Sequence, residues 1–150
     1  MDITITLIKT LRDLTGSGVA DCRKALEESN GDIKQAQEIL AKTASSKADK
    51  KQDREIKDGL VTSYIHGNGK IGVLLELGCE TDFVAKTDAF KNLSHEIAMQ
   101  ITAMDPQNLE ELLEQDYIRD GSKKIKDLIS AVVAKTGENI KIGRFVRYAL

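Results

Sequence analysis

The chain has 150 residues, a formal net charge of -2, 41% hydrophobic and 31% charged residues, which suits one medium or two small units and reads as soluble and globular rather than disordered. The near-neutral charge gives no overall pull toward nucleic acid or an anionic membrane, and no apolar run is long enough to span a bilayer. The start, Met1-Asp2-Ile3-Thr4, lacks the basic and apolar blocks of a signal peptide, so a cytoplasmic protein is expected.

Three short helices open the chain. The first places Leu7, Ile8, Leu11 and Leu14 on one face and stops at Gly16. The second carries Val19, Cys22, Ala25 and Leu26 and stops at Asn30-Gly31; Asp32 then caps a third with Ile33, Ala36, Ile39 and Leu40. Each buries one stripe across a tight connection, so a three-helix unit over residues 1–43 follows. It is marginal alone, which makes its outer face a docking surface rather than a catalytic scaffold. Residues 44–58 are almost free of large apolar side chains. Lys47, Lys50, Lys51, Arg54 and Lys57 interleave there with Asp49, Asp53, Glu55 and Asp58, which reads as a solvated, partly helical linker.

A second unit, 59–150, begins with strands over 60–65 and 71–77 around the turn Asn68-Gly69. The same stretch contains Gly67-Asn68-Gly69-Lys70-Ile71-Gly72, a formal GxGxxG. A strand follows it where a dinucleotide site needs a helix N-terminus, so that reading is rejected. A long helix then sets Phe90, Leu93, Ile97, Ile101 and Met104 on its buried side. Asp105-Pro106 ends it and opens a short helix with Leu109, Leu112 and Leu113, with Pro106 suited to the first helical position. Asp120-Gly121 breaks the chain, and Ser122 caps a helix with Ile125, Leu128, Ile129 and Val132 that ends at Gly137. Residues 139–148 alternate around Ile140, Ile142, Val146 and Tyr148 as a third strand. The expected fold class is α+β: a three-helix unit followed by a three-stranded antiparallel sheet packed with helices on one face.

No catalytic chemistry emerges. Cys22 and Cys79 are distant from each other, form no CxxC and occupy apolar-periodic positions, as buried free thiols do. His66 falls near the hairpin turn and His95 within a helix, and neither joins a nucleophile–base pattern or a metal cluster. No enzyme activity, metal or cofactor is therefore expected. The basic residues of the helical unit, Lys9, Arg12, Arg23 and Lys24, are offset by Asp13, Asp21, Glu27 and Glu28, which argues against nucleic-acid binding.

The most informative run is Gly78-Cys79-Glu80-Thr81-Asp82-Phe83-Val84-Ala85-Lys86, where a strand ends and a helix begins. Taken alone it admits two placements. In one, Thr81 is an N-cap, Asp82 complements the helix dipole and Phe83 packs into the core; in the other, the corner presents both the ring and its carboxylate neighbour to a partner.

Three segments in order carry a resemblance. The first is Leu11-Arg12-Asp13-Leu14-Thr15-Gly16-Ser17-Gly18-Val19-Ala20-Asp21-Cys22-Arg23-Lys24-Ala25-Leu26 with Asn30-Gly31-Asp32. The second is Glu80-Thr81-Asp82-Phe83-Val84-Ala85-Lys86. The third is Gly137-Glu138-Asn139-Ile140 leading into Arg144-Phe145. Together they resemble the translation elongation factor Ts family, the nucleotide-exchange factors of elongation factor Tu. The resemblance implies a ubiquitin-associated-like (UBA-like) three-helix domain joined to an α/β core. It implies that Asp82 and Phe83 form a wedge entering the GTPase domain of elongation factor Tu, with Thr81 and Val84 shaping the turn that holds it. The wedge disturbs the magnesium and nucleotide site so that GDP leaves. It also implies docking of the helical domain through Arg12, Val19, Ala20 and Asp21. Two departures stand out. The family often carries methionines where this chain has Val19 and Ala20, and many members have two core subdomains where this chain has one. The chain resembles the short form, which implies a homodimer. The alternative is a generic UBA-like interaction module with a dimerising core.

Overall fold

The computed structural model describes residues 2–150. Helices α1 (Ile5–Thr15), α2 (Val19–Glu28) and α3 (Ile33–Asp49) pack on one another around Leu11, Cys22, Ala25, Leu26, Ala36 and Leu40. Thr4 and Asp32 cap α1 and α3 by accepting the N–H groups of Leu7 and Gln35. α3 does not stop where the apolar stripe ends. It continues to Asp49 through the charged stretch, because its far end packs on a later helix. Two of the apolar positions assigned to the helical core face outward instead: Leu14 and Val19 are both more than half exposed.

Strands β1 (Asp58–His66) and β2 (Ile71–Cys79) form the expected hairpin around a four-residue loop, 67–70, and β2 pairs on its other side with β5 (Lys141–Ala149). The sheet is antiparallel, in the order β1-β2-β5. Gly59 (φ 155°) is required at the start of β1: a Cβ there would lie 2.3 Å from the Leu77 carbonyl oxygen.

The helices of the second unit cover one sheet face. After the single-turn α4 (Asp82–Ala85), Thr87 caps α5 (Asp88–Met104), so the expected continuous helix is divided at Lys86-Thr87. Phe90, Leu93, Ile97 and Ile101 are buried, but Met104, in the last turn of α5, is half exposed. Pro106 is not helical. It is buried ahead of α6 (Leu109–Glu114), which Asn108 caps instead. Ser122 caps nothing: it lies in β4 (Asp120–Lys124), paired with β3 (Asp116–Tyr117), and α7 (Ile125–Thr136) begins three residues later. Gln100, fully buried on α5, anchors that hairpin by donating to the Asp116 carbonyl and accepting from the Ile118 N–H. The core of the second unit runs through Val73, Leu75, Leu77, Phe90, Ile97, Ile101, Leu112, Ile125, Val133 and Ile142, and Ala48 of α3 packs against it.

The third strand departs from simple alternation. Leu75 pairs with Phe145 while Leu77 pairs with Ile142, so β5 carries an extra residue opposite Glu76. Ile142 and Phe145 therefore face the helices, and Val146 and Tyr148 face away. Glu76 fills the bulge, accepting the Arg144 N–H at 3.1 Å and its Nε–H at 2.8 Å. Arg144 holds the Glu76 carboxyl below the usual carboxylate range through those bonds. The fold class is α+β as expected. No helix among the described residues is long and apolar enough to cross a membrane.

Candidate functional site

The corner between β2 and α4 is built from its own backbone outward. β2 ends at Cys79, whose side chain is buried and donates to the Thr81 carbonyl at 3.1 Å. Burial, then the nearby carboxylates of Glu138 and Asp58, push this thiol up to about 11. It is an inert structural thiol. Thr81 leaves the strand in extended conformation (φ -131°, ψ 158°), and its Oγ1 accepts the Val84 N–H at 3.4 Å, which starts the one-turn helix.

That turn sorts its own four residues, Asp82–Ala85. Val84 and Ala85 point inward and anchor the corner in the core. Asp82 and Phe83 point out. Phe83 is 79% exposed, the inward placement left open by the sequence being taken by Val84. Asp82 is exposed, and its Oδ2 accepts from Lys86 Nζ at 3.0 Å. That bond, with the charge of Lys86, lowers the Asp82 carboxyl from its ordinary value. The corner thus presents an ionised carboxylate beside an uncovered ring on a one-turn scaffold.

The corner is also braced from a distant segment. Gly137, in left-handed conformation (φ 76°), ends α7 and turns the chain. Glu138 then accepts the Glu80 and Thr81 N–H groups at 3.0 and 2.9 Å and the Thr81 hydroxyl at 2.6 Å. In return Glu80 accepts the Asn139 N–H at 2.7 Å. Asn139, buried, donates to the Gln52 and Arg54 carbonyls, and Arg54 pairs with Glu80 at 3.6 Å. Glu80, Glu138 and Asn139 lie within the motif segments, but nothing in the local sequence assigns them a role. The contacts that give them one span more than fifty residues of chain.

The second predicted group lies at the junction of α1 and α2. Arg12, Val19 and Ala20 are exposed there, and Asp21 accepts from Lys47 of α3 at 2.8 Å. Leu14, assigned to the core by its spacing, is an exposed apolar side chain of the same end of α1. Among the described residues no group of three or more His, Cys, Asp and Glu side chains gathers as a metal site. His66 is exposed near the hairpin loop, where its Nδ1 lies 3.0 Å from the Tyr64 hydroxyl. His95 stacks edge-on against the same tyrosine.

Comparison with known proteins covers the whole chain. The family model "Elongation factor TS" matches residues 80–150, which contain the corner and its brace. Elongation factor Ts of Thermotoga neapolitana is 44% identical over 191 aligned positions, covering 99% of this chain and 97% of the relative. The factors of Thermotoga maritima and Coprothermobacter proteolyticus are 43% and 42% identical, each covering all of this chain and at least 97% of the relative. These alignments are longer than the chain's 150 residues, so they open gaps within it. With such identity over nearly the full length of both partners, this chain belongs to the elongation factor Ts family and is a translation elongation factor.

Proposed function

We propose that the chain is a guanine-nucleotide exchange factor for elongation factor Tu, acting in the cytoplasm where translation runs. The observation that carries this reading is the exposed Phe83, held beside Asp82 on a corner whose other residues are buried or hydrogen-bonded. A large apolar ring left in water at a braced position is suited to burial in a partner.

Exchange requires no bond breaking. The factor binds the nucleotide-free GTPase more tightly than the GDP-bound one, and linkage then weakens GDP by the same ratio. Phe83 would enter a pocket that opens fully only when the magnesium and nucleotide site is distorted, with Asp82 adjacent and Thr81 and Val84 fixing the turn. Arg12, Val19, Ala20 and Asp21 of the helical unit (1–43) would dock on the same GTPase. That second contact raises the effective concentration of the corner carried by the core unit (59–150).

The same reading includes a homodimer. The sheet face away from the helices carries Val61, Ile65, Leu74, Val146 and Tyr148, all exposed, with Gly72 between Ile65 and Tyr148 across the strands. This face, apolar except for Ser63 and Glu76, suits sheet-on-sheet packing, and a second copy supplies a self-complementary one.

The test is GDP release from purified elongation factor Tu. The intact chain should accelerate it, and immobilised chain should retain more of the GTPase without GDP than with it. Unchanged release with equal retention would refute the proposal.

A further inference from the structure

We propose that Glu138 is a positioning residue for nucleotide exchange: its carboxylate fixes the Thr81 hydroxyl and the two backbone N–H groups behind the corner, and so sets the direction in which Phe83 projects. The inference rests on the reading of Phe83 as the inserted ring.

The argument starts from what a hydroxyl can do. Thr81 Oγ1 has one proton and two lone pairs. The proton goes to Glu138 Oε2 at 2.6 Å, a charge-assisted bond. With the proton committed there, a lone pair faces the Val84 N–H, and the N-cap of the one-turn helix is made. Glu138 Oε1 meanwhile receives the N–H groups of Glu80 and Thr81, the last two residues before that helix. One carboxylate thus holds the chain immediately before Asp82 at three points. A four-residue helix has too few internal bonds to define its own direction, so the direction comes from this clamp and from buried Val84 and Ala85. Glu138 is itself fixed by the turn at Gly137 and by the reciprocal bond from the Asn139 N–H to Glu80.

Glu138→Gln isolates the effect. The amide keeps an oxygen for the backbone N–H groups but places an NH2 opposite Thr81. The hydroxyl must then accept from that NH2 and turns its own proton away, so the charge-assisted bond that orients the N-cap hydroxyl is replaced by a weaker neutral one of opposite direction.

Release of a fluorescent GDP analogue from elongation factor Tu is followed against factor concentration for the full chain, Glu138→Gln, Phe83→Ala and the double variant. Loss of a hydrogen bond to a charged group predicts a plateau release rate lowered about tenfold in Glu138→Gln, with the half-saturating concentration little changed. The double variant should be no slower than Phe83→Ala alone. A purely structural role would lower the folded fraction, shifting half-saturation to higher concentration at an unchanged plateau, and that result overturns the proposal. A native plateau in Glu138→Gln beside an impaired Phe83→Ala also overturns it and leaves the inserted ring standing. A native plateau in Phe83→Ala removes the ring reading and this inference together. Independent, multiplying losses in the double variant show Glu138 acting elsewhere. Should Glu138→Gln not fold, Thr81→Val deletes the hydroxyl alone. It is expected to lower the plateau without adding to Phe83→Ala, and a native plateau there overturns the proposal.

Discussion

Replacing Phe83 by alanine separates the corner's role in its own fold from its role toward a partner. Full burial of a phenylalanine yields roughly 1.5–3 kcal/mol. Since the ring is 79% exposed, about 1.2–2.4 kcal/mol of that remains available to a partner. This corresponds to a factor of roughly 8 to 60 in an equilibrium constant. The fold itself should hardly notice: a change at an exposed position lies within about 0.5 kcal/mol. Phe83→Ala should therefore unfold in urea at nearly the native midpoint while stimulated GDP release from elongation factor Tu falls by about one order of magnitude or somewhat more. Stopped-flow release of a fluorescent GDP analogue, with a parallel urea titration, gives both numbers. Native-rate exchange by the folded variant would refute the reasoning. So would a stability loss of several kcal/mol, which would mean that the ring belongs to its own core.

Three further outcomes follow from the packing. Leu74→Lys places a charge in the middle of the open sheet face and should turn a dimer at micromolar concentration into a monomer in sedimentation equilibrium without shifting the urea midpoint; a dimer that persists would place the interface elsewhere. Phe90→Ala removes a fully buried ring from the core of the second unit and should cost about 3–5 kcal/mol in urea unfolding. Burial, then the bond it donates to Glu96 at 2.5 Å, pushes the Tyr117 phenol up to about 12. A raised folded-state value means a contribution fully present below the unfolded value near 10 and lost as pH rises through about 12. Stability should fall less across that window in Tyr117→Phe than in the native chain, and an equal fall would contradict the shift.

The parts of the fold that depend on local period were legible in the sequence. Helix stripes and the hairpin at Asn68-Gly69 need only neighbours a few residues apart, and six helices and three strands emerged near their observed positions. What failed depends on pairing across the chain. The parity of β5 reverses at a bulge opposite Glu76, which no pattern within residues 139–148 announces. The β3–β4 hairpin is mostly polar and is held by Gln100 from another element, so Ser122 passed for a helix cap. Leu14 and Val19 fit a helical stripe but fall outside the contact zone of a small bundle. At the corner, strand-end and helix-start chemistry named Thr81 and Asp82, while the roles of Phe83 and Val84 came with the family resemblance. The direction of Phe83 could not be read, because the side chain that sets the corner's geometry, Glu138, lies 57 residues beyond Thr81.

The unbroken course of α3 has a mechanical consequence. Its first half belongs to the helical bundle, and its last turn packs against the second core. Seventeen residues at 1.5 Å each make a strut of about 25 Å, and the Asn139 bonds to Gln52 and Arg54 secure the chain just beyond its end. The two contact regions proposed above consequently sit at a set separation, like the jaws of a caliper. A GTPase whose matching surfaces were spaced differently could satisfy one jaw or the other but not both, so selectivity for the partner would come from a length as well as from side chains.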